Sequence, residues 1–177
     1  MDLNKWISEN TRDTSCVVEF GSQFFDKLSY AQSIKKIGIE IWKPFIISST
    51  YHDCIKINGD FTKYRDYVQP HDFDCAMMID AIEHINKEAA VSLINEMKVD
   101  FNKILVCTPE GVHKQYLDPN NMGADEYQTH RSTWYKEDFE MLGFQDIQID
   151  PIFHNWVKLW GAFPENNTGG IFATWTK

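Results

Sequence analysis

The chain has 177 residues, 43% of them hydrophobic and 14% aromatic, with a formal net charge of −9. This fits one packed domain over 1–177, since roughly 100–200 residues is the usual domain size. No run approaches the ~20 apolar residues a membrane span needs. The acidic balance lacks the basic footprint that neutralises phosphates, so no nucleic-acid partner is expected. Met1-Asp2-Leu3-Asn4-Lys5-Trp6 has no basic region followed by an apolar one, so it does not read as a secretory signal and the expected location is cytoplasmic. Cys16, Cys54, Cys75 and Cys107 lie in or beside apolar runs, too far apart for a CxxC metal pair, and read as buried thiols.

In chain order, strands are predicted at Cys16–Phe20, Lys36–Ile41, Cys54–Ile57, Phe73–Ile79 and Lys103–Thr108. Helical patterning separates them around Phe24–Ser33, Pro44–Tyr51 and Lys87–Lys98. In the last of these, Ala90, Leu93, Ile94 and Met97 recur at spacings of three and four and form an apolar stripe. Alternation of this kind favours a mostly parallel sheet with helices on both faces and right-handed crossovers. The pattern then changes. Tyr135–Leu142 reads as a helix capped by Ser132 or Thr133, and Phe144–Asp150 and Gly170–Thr176 read as strands of a terminal antiparallel hairpin. Between them, Pro151–Gly169 holds Trp156, Trp160 and Phe163 and reads as an aromatic loop that covers the acceptor side or packs between subunits.

Acidic or glycine turns follow four successive strands. Glu19-Phe20-Gly21-Ser22 closes the first, and Glu40 closes the second 21 residues after Glu19, the spacing at which a carboxylate accepts hydrogen bonds from ribose hydroxyls. Gly59-Asp60-Phe61 follows the third, and Asp80-Ala81-Ile82-Glu83-His84 ends the fourth. An apolar strand ending in this last cluster resembles the fourth strand of the class I S-adenosylmethionine-dependent methyltransferases, over roughly Ser15 to Lys177. The resemblance implies an α/β, Rossmann-like, seven-stranded sheet with S-adenosylmethionine as cofactor. It also implies a cofactor set of Glu19, Gly21, Ser22, Glu40, Ile41, Asp60, Phe61 and Asp80, with Asp60 facing the adenine amino group, Phe61 against the ring and Asp80 beneath the methionine part.

The first turn departs from that family. Members carry a run of the form acidic-x-Gly-x-Gly-x-Gly, whereas Gln23 and Phe25 stand where the second and third glycines fall. Close backbone approach to a cofactor normally excludes side chains there. The alternative reading is therefore a catalytically inactive relative kept as a binding module. Phe24 or Phe25 filling the cofactor cavity would favour the module, and a preformed cavity bordered by Gly21, Glu40 and Asp60 would favour the enzyme. An NAD-binding domain is a weaker third reading, because Gly-x-Gly-x-x-Gly is absent.

On the acceptor side, Val106-Cys107-Thr108-Pro109-Glu110-Gly111 resembles the Thr-Pro-Asn-Gly strand ending of a subset of these enzymes. His130-Arg131-Ser132-Thr133-Trp134 resembles the His-x-Ser-x-Trp segment of the same subset. The long connection Val112–Thr129 suits a binding loop, with His113, Tyr116 and Tyr127 as candidate lining residues. Transfer from a sulfonium to a hydroxyl requires positioning and removal of a proton, a task that suits histidine. His84 is the first candidate base and His130 the second, with Glu83 orienting His84 or binding the cofactor's amino group. Small-RNA 2′-O-methyltransferases hold a divalent metal around a similar Glu-His pair, but Lys87 stands where a further histidine would be needed, so no metal is expected. The expected reaction is methylation, at oxygen, of a small-molecule or glycan-type acceptor. The short segment before the first strand leaves room for closure by a partner subunit, so a homo-oligomer is among the partners the sequence allows.

Overall fold

A computed structural model of the chain describes residues 1–69, 72–153 and 169–177. Its centre is a seven-stranded sheet of β1 (Cys16–Phe20), β2 (Lys35–Glu40), β3 (Ile55–Asn58), β4 (Cys75–Ile79), β5 (Lys103–Pro109), β6 (Asp146–Asp150) and β7 (Gly170–Thr176). The strand order is β3-β2-β1-β4-β5-β7-β6. The first five strands pair in parallel, while β7 runs antiparallel between β5 and β6. Chain order reverses between β1 and β4, which places a ligand crevice beyond the carboxyl ends of those strands.

Burial explains this order. β4 is buried at every position, as a central strand covered on both faces must be. β3, at the edge, is only partly covered and leaves Ile55 exposed. On one face the helix α3 (Lys87–Asp100) lays Ala90, Leu93, Ile94 and Met97 against Val18, Ala76, Met78 and Ile104. Burying Leu93, Ile94 and Met97 contributes about 1.5–3 kcal/mol each. The other face is covered by α1 (Leu3–Asn10), whose Trp6 and Ile7 meet Val17, Met77 and Phe172. Asp2 starts α1 by accepting from the amides of Asn4 and Lys5 at 3.0 and 3.1 Å. The short helices α2 (Lys43–Ser48), α4 (Asp125–Gln128) and α5 (Lys136–Met141) fill the remaining connections.

Three local expectations are corrected. Phe24–Ser33 is not a helix but a tight turn followed by a 3-10 turn at Asp26–Ser29, because Gln23 and Phe25 both adopt left-handed backbone (φ 49° and 65°) and cannot begin an α-helix. Ser132 and Thr133 do not cap α5. Its first turn is closed by Asp138, which accepts from the Tyr135 amide at 2.8 Å. The fourth strand begins at Cys75 rather than Phe73, since Asp74 spends its carboxylate on the amides of Ser15 and Cys16. Cys75 and Cys107 are buried, Cys16 and Cys54 partly so, and all four are free thiols. The expectation for Trp156, Trp160 and Phe163 lies outside the described residues.

Candidate active site

Beyond the carboxyl ends of β1, β2, β4 and β5 lies a cavity of about 410 Å³, within the ~300–1,000 Å³ of typical small-molecule sites. Its lining brings together Glu19, Gly21, Ser22, Glu40, Ile41, Phe61, Asp80, Glu83, His84 and His130, all singled out in the sequence. Asp60 is not among its lining residues. It caps the 3-10 turn Phe61–Asp66 by accepting from the amide and hydroxyl of Thr62 at 2.9 and 2.7 Å. His113 and Tyr127 line the cavity, whereas Tyr116 is half-exposed and does not.

The floor is set by Gly21. Its φ of +71° favours glycine, and a β-carbon there would stand 2.9 Å from that of Ala81, just after β4. Phe24 and Phe25 both leave the cavity clear. Phe24 stacks edge-on against Phe45 of α2 with ring centroids 5.0 Å apart. Phe25 is fully buried in the opposite core, over Gly38 of β2. Any β-carbon at Gly38 would collide with the Phe25 ring and the Ser22 hydroxyl. The side chain that replaces a turn glycine is thus housed by a glycine on the neighbouring strand. Sequence reasoning passed over Gly38, although a lone glycine inside a strand signals close approach of another group.

Both oxygens of Glu40 are engaged: Oε2 accepts from the Gln23 amide at 2.8 Å and Oε1 from the Trp42 amide at 2.7 Å. Burial pushes its carboxyl up, and those amides pull it back. Glu19 differs. Burial pushes its pKa to about 8, and its Oε2 has no hydrogen-bond partner among the described residues.

Around Glu83, residues far apart in the chain are joined through backbone. The amides of Arg131 and Ser132 donate to the Glu83 carbonyl at 2.8 and 3.1 Å. That clamp brings the His130 ring to 4.8 Å from the His84 ring, and the His113 ring lies 5.3 Å from His130. His130 Nδ1 sits 2.7 Å from the His113 carbonyl, which assigns the Nδ1–H tautomer and makes Nε2 the basic nitrogen. Burial lowers the His84 pKa, so its imidazole is neutral at pH 7. Glu83 accepts from the Thr108 hydroxyl at 2.8 Å through Oε2, while the buried Oε1 has no partner among the described residues. Burial, reinforced by the Asp80 charge, raises the Glu83 carboxyl well above the ordinary carboxylate range.

Glu83, His84 and His130 each offer a ligand atom within 4.8 Å of the others, so these are the residues that could hold a metal. Lys87 is committed to structure: it donates to Asp138 at 2.6 Å and to the Thr133 carbonyl at 2.7 Å, and lies 3.6 Å over the Trp134 ring. Trp134 is fully buried and donates to the Ser132 hydroxyl at 2.9 Å. The His-x-Ser-x-Trp segment is therefore scaffold at Ser132 and Trp134 and lining at His130.

The loop over the cavity is ordered by Asp118, whose buried carboxylate accepts from the amides of Asn120, Met122 and Ala124. It is tied to the opposite wall where Trp42 stacks on Tyr127 and donates to the Met122 carbonyl at 3.1 Å. Gln23 reaches Gln128 at 3.3 Å. Pro119, Asn120, Gln115 and Gln128 of this loop also line the cavity, and no sequence signal distinguished them.

This strand order, with a crevice at the reversal point, is the fold of the class I S-adenosylmethionine-dependent methyltransferases, and solved structures agree. A SAM-dependent methyltransferase from Archaeoglobus fulgidus superposes with a TM-score of 0.65 at 16% identity, covering 98% of this chain and 91% of that one. The 1,6-didemethyltoxoflavin-N1-methyltransferase of Burkholderia thailandensis, with its substrate and S-adenosylhomocysteine bound, gives 0.66 at 12% identity over 99% and 76%. The methyltransferase domain of bacterial CtHen1 gives 0.60 at 15% over 99% and 97%. No family sequence profile and no curated protein matches the chain. Among the described residues, no helix is long and apolar enough to cross a membrane.

Proposed function

We propose that the chain is an S-adenosylmethionine-dependent methyltransferase acting at oxygen on a small-molecule or glycan-type acceptor. The observation that carries this reading is the preformed cavity at the strand reversal, from which Phe24 and Phe25 are both turned away. Glu40, Ile41 and Phe61 form the nucleoside end, and Gly21 keeps the floor low enough for close approach. Glu19 and Asp80 line the part that takes the sulfonium and amino-acid portion. Their carboxyl groups complement a cation, and the unpartnered Glu19 Oε2 gains one when an ammonium or sulfonium arrives.

Acceptor chemistry falls to Glu83, His84 and His130. The acceptor oxygen attacks the methyl carbon in line, the O–CH₃ bond forms as the S–CH₃ bond breaks, and the hydroxyl proton passes to neutral His84. His130, set edge-on to His84, binds the acceptor, and Glu83 holds the His84 backbone in place through its clamp with residues 131 and 132. Positioning supplies most of the rate in such a displacement, with the base adding about 10²–10⁴-fold. The test is calorimetric titration with S-adenosylmethionine and S-adenosylhomocysteine, followed by transfer of a labelled methyl group to a panel of hydroxyl and amine acceptors. Absence of binding at millimolar concentration sinks the cofactor reading, and labelled amines in place of ethers sink the oxygen reading.

A second reading is favoured by the donor geometry alone. Glu83, His84 and His130 would hold a divalent cation, which would supply Lewis-acid polarisation of an acceptor hydroxyl in place of a base. Chelator resistance of the transfer supports the first reading, and chelator-sensitive transfer restored by a divalent cation supports the second.

A further inference from the structure

Lys27 is the one lysine or arginine among the described residues lining the cavity, set against the carboxyl groups of Glu19, Glu40, Asp80 and Glu83. It extends from the 3-10 turn that replaces the expected helix after the glycine turn. It lines the cavity with Glu19 and Asp80, and the charges that act on it are those of Asp26, Glu19 and Asp80. Burial alone would lower its pKa, yet the three carboxylates reverse that and raise it, so the side chain stays an ammonium. Its hydrogen-bond partner is Asp26 Oδ1 at 3.3 Å, on a side chain 57% exposed. An ammonium has three donors, and a long, half-exposed pair contributes little. The group is charged, inward-facing and weakly engaged.

From this juxtaposition we infer that Lys27 binds the carboxylate of the cofactor's amino-acid portion and so selects ligands that carry it. The inference rests on the cofactor reading above. S-adenosylmethionine presents two positive groups and one negative group at this end. The Asp80 charge, joined by Glu19 when a cation draws off its proton, answers the ammonium and sulfonium, and without Lys27 the Asp80 charge would repel the carboxylate. One ammonium placed among four carboxyl groups therefore decides whether an α-carboxylate is accepted or expelled.

The experiment compares three ligands by calorimetry: S-adenosylhomocysteine, its decarboxylated analogue, which keeps the amine, and 5′-methylthioadenosine, which lacks both groups. Lys27→Met is expected to weaken S-adenosylhomocysteine by about 10- to 100-fold, the range of a lost charge-assisted hydrogen bond. The decarboxylated analogue and 5′-methylthioadenosine should stay within about twofold or bind more tightly, and Lys27→Arg should restore most of the loss, because it restores the charge. A loss shared equally by all three ligands, or no loss for S-adenosylhomocysteine, overturns the assignment and makes Lys27 a structural counter-charge. If Lys27→Met does not fold, Lys27→Gln and the wild-type preference for S-adenosylhomocysteine over its decarboxylated analogue carry the same test; a wild type that ignores the carboxylate overturns it. Failure of the wild type to bind any of the three removes the cofactor reading, and the inference falls with it.

Discussion

The two walls of the cavity treat their acids in opposite ways. At the nucleoside end Glu40 has both oxygens taken by the chain's own amides, those of Gln23 and Trp42, so the carboxylate is held as part of the turn. At the acceptor end Glu83 is equally buried, yet one oxygen is satisfied by Thr108 and the other has no partner among the described residues. The Glu40 turn is finished on folding. Glu83 carries an outstanding polar demand of the kind that a ligand meets, since a buried unpaired oxygen costs about 1–3 kcal/mol.

If that contrast separates binding from chemistry, His84→Ala should lower kcat by about 10²–10⁴-fold while leaving S-adenosylhomocysteine affinity nearly unchanged. Single-turnover transfer and calorimetry measure the two. A variant that loses affinity and rate together would place His84 on the cofactor wall and erase the distinction. Next in size is the fully buried pair that keeps the cavity clear. Phe25→Ala should cost about 3–5 kcal/mol of stability, and Gly38→Ala about 1–3 kcal/mol by overpacking the same space. In the double variant the new methyl group at position 38 faces the vacated ring site, so the combined loss should be smaller than the sum of the two, as denaturant unfolding would show. Strict additivity would mean that the ring and the strand glycine do not depend on one another.

The residues proposed for the cofactor were the more legible in the sequence because they sit at fixed offsets from strands. Glu19, Gly21, Glu40 and Phe61 each end or follow an apolar run, and period and burial place strand ends without tertiary knowledge. Asp60 shows the limit of that logic, since an acid after a strand caps the next turn as readily as it meets a ligand. The acceptor wall was legible only as two separate segments. Nothing local says that the amides of Arg131 and Ser132 close on the Glu83 carbonyl, which is what brings His130 to His84. Nor did helical patterning over Phe24–Ser33 foresee left-handed backbone at Gln23 and Phe25. There the room over Gly38 and the bond from the Phe25 amide to the Ser22 carbonyl outweigh local propensity.

Glu19 gives a gentler test of the contrast, through pH. Its folded pKa, raised by burial to about 8 from the ordinary carboxylate range, means that the folded chain holds a proton the unfolded chain has released. Its contribution is fully present below the unfolded pKa and is lost as pH rises toward 8, with a slope of at most about 1.4 kcal/mol per pH unit. Glu19→Gln should flatten that part of the stability profile. A cationic ligand beside Glu19 should favour the carboxylate, so binding at pH 7 should release a proton, visible as a dependence of the calorimetric heat on buffer ionisation enthalpy. Buffer-independent heats would put Glu19 out of contact with the ligand's charge.

The smallest expected effect concerns the link between the walls. Trp42 adjoins Glu40, yet it donates to the Met122 carbonyl and packs on Tyr127, both in the loop over the cavity. Trp42→Phe keeps a ring for Tyr127 and deletes the donor, a change of about 0.5–1.5 kcal/mol. Because the lost bond holds the loop and touches no reacting atom, KM for the acceptor should rise about two- to tenfold with kcat nearly preserved. A fall in kcat with KM unchanged would mean that the loop sets the geometry of transfer itself, and the two walls would then act as one unit.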